Sequence, residues 1–225
     1  MKTPQLTAAL AIVTVLLAGC ASGPPAPDWK MTAQSSVERF EAAYLSGDVR
    51  VEQAEFERAR TQVGSTGKFD LLARIELLRC AARVASLDFD DCTAFETLRS
   101  DAGDADRAYA DYLLGKVTAG QLALLPEAQR APAGAATDMA AADAVAAIRE
   151  PLSRLVAAGV LLRTSRATPA LLDTAVATAS DQGWRRPLLA WLGVQHLRYE
   201  QAGQLDAAQR IARRMDLVEK SGKPL

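Results

Sequence analysis

Asp88-Phe89-Asp90-Asp91 puts three carboxylates within four residues, a grouping that could serve general-acid chemistry or supply oxygens to calcium. Calcium takes six or more oxygen ligands, and the spacing and closing glutamate of a calcium loop are missing. Aspartates at a helix start also cap backbone amides and complement the helix dipole, and capping is the role expected here. Gly64-Ser65-Thr66-Gly67-Lys68 ends like a phosphate-cradling loop. The motif needs a further glycine where Gln62 stands and a hydroxyl residue where Phe69 stands, so a connector is expected. His196 is the only histidine, too few for the usual zinc set, and no nucleophile elbow presents a serine to it. No catalytic residue, metal set or cofactor is expected. Trp184, Trp191 and Tyr199, with Arg185, Arg186, Arg210, Arg213 and Arg214, form the aromatic-arginine mix enriched in partner hot spots. They are the candidate partner-binding residues, although aromatics at helical spacing also serve as core.

Positioning begins at the amino terminus. A short apolar run from Leu6 to Ala18 follows Lys2 and leads to Leu17-Ala18-Gly19-Cys20. The run is too short to cross roughly 30 Å of hydrocarbon as a helix and has the length of a signal-peptide core. The tetrapeptide resembles the lipobox of bacterial lipoproteins. That resemblance implies a signal peptide over 1–19, lipidation of Cys20 on sulfur, cleavage before it and acylation of the new terminus. Ala21, not aspartate, follows the cysteine, and resemblance to sorted lipoproteins implies the periplasmic face of the outer membrane. Each buried methylene contributes about 0.8 kcal/mol, so two or three acyl chains would hold lastingly. The proline-rich stretch within 20–31 favours extended polyproline II and reads as a tether.

With 225 residues and a net charge of −1, the chain has core-forming length and lacks the basic excess that nucleic acid or anionic lipid would attract in bulk. Alanine is abundant and aromatic residues make up 5%, a composition that favours helix over strand. In an oxidising periplasm Cys80 and Cys92 are expected to pair across a helical hairpin. Two buried free thiols are the alternative. No Cys-x-x-Cys spacing suggests redox chemistry.

Helical periodicity recurs along the chain. Val37, Phe40, Tyr44 and Leu45 mark a first helix, closed by Gly47-Asp48; Phe56, Ala59 and Val63 mark a second. A third, from Phe69 to Ser86, is apolar over a wide arc and should sit centrally. The pattern weakens between Thr118 and Thr137, where Gly120, Pro126, Pro132 and Gly134 intervene. The division expected is an N-terminal helical subdomain over 32–117, a linker over 118–137 and a C-terminal subdomain over 138–225. Pro151 should interrupt or kink a helix begun near Asp138, and Thr168-Pro169 should cap and open another.

Tyr199-Glu200-Gln201-Ala202-Gly203, followed by Ala207-Ala208, Ile211-Ala212 and Met215, resembles part of a tetratricopeptide helix pair. The resemblance covers only about 188–218, and no 34-residue period runs through the chain. The expected fold is all-α, an array or bundle of antiparallel helical hairpins, partly tetratricopeptide-like. The expected function is that of a non-enzymatic scaffold or adaptor, lipid-anchored in the membrane and binding an envelope protein, with no nucleic acid. The rival is an envelope enzyme, such as a peptidoglycan-acting one, using Asp88, Asp90 and Asp91.

Overall fold

The computed structural model describes residues 27–222. The signal peptide expected over 1–19, the lipidation site expected at Cys20 and most of the tether expected over 20–31 fall outside the described residues. Those described are helical throughout, with no strand among them: α1 Asp28–Ser46, α2 Val49–Gly64, α3 Phe69–Ala85, α4 Thr93–Glu96, α5 Asp104–Leu113, α6 Glu127–Gly134, α7 Asp138–Ala146, α8 Pro151–Arg163, α9 Pro169–Asp181, α10 Arg185–Gln201 and α11 Leu205–Lys220. None of these helices is long and apolar enough to cross a membrane. The tether expected through residue 31 gives way to helix at Asp28, because Pro27 fixes the extended N-cap backbone from which α1 starts.

The first hairpin closes as its residues require. Gly47 adopts φ +85° and its N–H donates to the carbonyls of Ala43 and Tyr44, a left-handed cap that glycine reaches without a Cβ clash. Asp48 then accepts a hydrogen bond from the amide of Val51 at 3.1 Å and starts α2. Phe40, Tyr44, Leu45, Phe56, Ala59 and Val63 bury between the two helices, joined by Ile75 and Ala82 from α3.

Helix α3 is two-sided, as its wide apolar arc predicts. One side completes that N-terminal cluster; the other gives Leu77, Cys80, Ala81, Val84 and Ala85 to a larger core that continues through α5, α8, α9, α10 and Ile211 of α11. Helix α3 packs against α1, α2, α5 and α8. Gly159 of α8 lets α8 approach closely: a Cβ there would lie 2.3 Å from the carbonyl oxygen of Val84.

The stretch 118–137 differs from a linker. It holds a 3-10 helix over Ala119–Leu124 and then α6. Leu125, Gln129 and Pro132 are buried. The Gln129 side chain accepts from the hydroxyl of Tyr112 at 2.8 Å and donates to the carbonyl of Ser153 at 3.0 Å, tying α5 to α8. The larger core runs across this stretch without a break. Two cores meet at α3, not at the glycines and prolines. Pro151 likewise does not kink a helix. It is the first residue of α8, where its missing N–H is no loss, behind an N-cap supplied by Glu150.

Candidate functional site

Cys80 and Cys92 stand at disulfide distance, with Cα atoms 5.6 Å apart and their sulfurs joined. The segment between them turns tightly: Leu87 and Cys92 both adopt positive φ, +60° and +49°. Asp90 organises the turn by accepting a hydrogen bond from the amide of Cys92 at 2.9 Å. The acidic cluster is held by arginines. Arg83 pairs with Asp90 and, at 3.2 Å, with Asp88; Arg163 donates to the carbonyl of Asp90 at 3.1 Å and approaches Asp91 at 3.5 Å. The carboxylates thus pin the Cys80–Cys92 turn to α3 and α8. Capping was expected at a helix start; here it acts inside the turn, because α4 begins only at Thr93.

The aromatic and arginine residues do not gather on one surface. Trp191 is fully buried, and its indole N–H donates to the carbonyl of Ala85 at 3.0 Å. Its place in a partner patch is therefore corrected: it anchors α10 in the core against the end of α3. Arg186 pairs with Glu52 at 2.8 Å and lies 4.0 Å over the ring of Tyr44, clamping α10 to the first hairpin. Arg185 passes close to Gly222, leaving no room there for a Cβ. Trp184, the N-cap residue of α10, packs against both cores. Arg185, Arg186 and Trp184 are partly buried tie points rather than an open rim.

Two features of the C-terminal hairpin stay accessible. Arg210, Arg213 and Arg214 are exposed on α11 at i, i+3 and i+4, so they share one face. Tyr199 lines a groove of about 290 Å³ between α9 and α10, together with Pro169, Leu172, Asp173, Arg198 and Gln204. The groove is braced, since Gln195 donates to Asp173 at 2.7 Å and Arg198 to the carbonyl of Ala167 at 2.9 Å. Its floor is apolar Leu172 and its wall carries one aromatic ring and both charge signs, a mix that can seat a peptide side chain.

Ala208 is buried beneath α10, and His196 meets its carbonyl oxygen at 3.1 Å. The other ring nitrogen of His196 lies 3.5 Å from Glu200. The lone histidine braces the hairpin.

Sequence reasoning missed Glu41. Its carboxyl borders a cleft of about 240 Å³ with Phe40, Leu78, Tyr109 and Glu150. Burial raises its pKa, and the charges of Glu150 and Glu38 add to the rise. The available signal was its register: Glu41 follows Val37 by four residues and precedes Tyr44 by three, on the inward side of α1. No protein-family profile, curated protein or solved structure matches the chain.

Proposed function

We propose that this protein is a lipid-anchored envelope lipoprotein, attached through Cys20 to the periplasmic face of the outer membrane, and that its helical body is a non-enzymatic adaptor for another envelope protein. The observation that carries the reading is the C-terminal hairpin, where the Tyr199 groove and the Arg210, Arg213 and Arg214 face remain accessible while the other candidate residues brace the fold. Three arginines on one helix face suit a partner surface rich in carboxylates, which they would steer and orient. The acidic cluster supports the same reading, because Arg83 and Arg163 already engage it.

Photo-crosslinkers placed at Tyr199 and at Arg213 in the native envelope test this. A discrete protein adduct at either position is expected, with identification of the captured chain by mass spectrometry. Absence of an adduct at both positions contradicts the adaptor reading.

A further inference from the structure

A wide groove opens at the other end, beside Pro27, where the described residues begin. It measures about 630 Å³ and lies between the first turns of α1, the end of α2 and the outer side of α3. Trp29, Val37, Leu71 and Leu78 give it an apolar lining; Lys30 and Lys68 stand on its edges. Phe69 and Met31, the sequence neighbours of Lys68 and Lys30, are 58% and 53% exposed. Neither lysine has an acidic partner within 4 Å among the described residues. Arg74 adds a third cation, paired with Asp106 at 3.2 Å, and Glu38 is the one acid on the lining.

We propose that this groove is a phospholipid docking surface, its apolar lining receiving acyl chain and Lys30 and Lys68 receiving phosphate, so that the α1–α3 face sits on the membrane. The occupant follows from position and charge. Pro27, the first described residue, lines the groove. Cys20 precedes it by seven residues, a length of chain that at roughly 3.3–3.6 Å per residue can reach at most about 25 Å in any conformation. A body held that closely must turn the end bearing Pro27 toward the bilayer. Tryptophan beside lysine is the side-chain pairing that suits the interface, with the ring at headgroup level and the ammonium at phosphate. Lysines near an anionic leaflet each shift partition roughly fivefold. The occupant rests on the lipid-anchor reading; the groove and its charges do not.

The test uses the mature protein extracted from membranes and reconstituted into vesicles of phosphatidylethanolamine with phosphatidylglycerol. Flotation in high salt reports the anchor. Quenching of tryptophan emission by brominated phospholipid reports the groove, with Trp29→Phe to isolate Trp29. The expected result is salt-resistant flotation, quenching that Trp29→Phe removes, and a drop in that quenching in Lys30→Glu/Lys68→Glu or in vesicles lacking phosphatidylglycerol. Salt-resistant flotation with no Trp29-dependent quenching overturns the docking proposal and leaves the anchor standing; the groove then awaits another occupant, such as a partner helix. Equal quenching in the charge-reversed variant also overturns it, since tether length alone would explain proximity. Quenching at low salt with flotation lost at high salt supports the groove and overturns the anchor. A protein that never floats overturns both.

Discussion

The indole of Trp191 donates its N–H to the carbonyl of Ala85, 106 residues earlier, at 3.0 Å. That one bond joins the last turn of α3 to the middle of α10, and both partners are fully buried. Trp191→Phe keeps a ring but strands the Ala85 carbonyl away from water. A loss of about 1–3 kcal/mol is expected for the orphaned acceptor, read as a lower Tm in a thermal melt. A variant that melts with the parent would show the bond to be dispensable.

The Cys80–Cys92 link closes a turn of sequence separation 12 that contains two non-glycine residues at positive φ. Removing the link frees the unfolded chain by about 3 kcal/mol in the loop-entropy treatment, and the left-handed backbone at Leu87 and Cys92 then has less to hold it. Cys80→Ala/Cys92→Ala should therefore unfold at lower denaturant than the parent. Non-reducing peptide mass mapping of protein made in an oxidising compartment checks the link itself, and two freely alkylated thiols in the folded protein would contradict it.

Ala208 is 3% exposed beneath α10. Ala208→Leu overpacks that contact and should cost about 1–3 kcal/mol. Arg213→Ala and Arg214→Ala change only exposed side chains and should leave the melt unchanged while weakening capture of the crosslinked partner. Melts and pull-downs on the same three variants separate packing from recognition.

Glu41 provides the pH dependence. Burial first, and then the carboxylates of Glu150 and Glu38, raise its pKa in the folded protein above the ordinary value of 4.5. The folded state thus holds that proton more tightly than the unfolded state. The stability it contributes is fully present below 4.5 and is lost as pH rises through the raised folded value. Glu41→Gln removes the charge, so the variant should be more stable than the parent near neutral pH. The difference should vanish in acid, where the parent carboxyl is also neutral. Tm measured across pH checks both halves.

Much of the fold could be read from single residues. Gly47-Asp48 and Thr168-Pro169 end and begin helices where their local chemistry requires. The wide apolar arc of α3 foretold its central place. The stretch 118–137 was illegible because its inward residues include Gln129 and Pro132, which periodicity counts as surface. Gln129 is buried only because Tyr112 and Ser153 satisfy its amide. The candidate site was read less well for the same kind of reason. Trp191 and Arg186 have the composition of a hot spot, but Ala85 and Glu52, which take up their polar groups, lie 106 and 134 residues away. Only three-dimensional placement distinguishes such braces from Tyr199 and the α11 arginines.

The proposed membrane attachment through Cys20 underlies both the proposed adaptor role and the proposed orientation of the α1–α3 face, and acylation of that residue tests it most directly. Metabolic labelling with an alkyne-bearing fatty acid, followed by capture of the tagged chain, should show label on the wild-type protein in the membrane fraction. In Cys20→Ser the label should disappear and the processed, lipid-anchored form with it. A wild-type chain that takes up no fatty acid would contradict the lipid anchor outright.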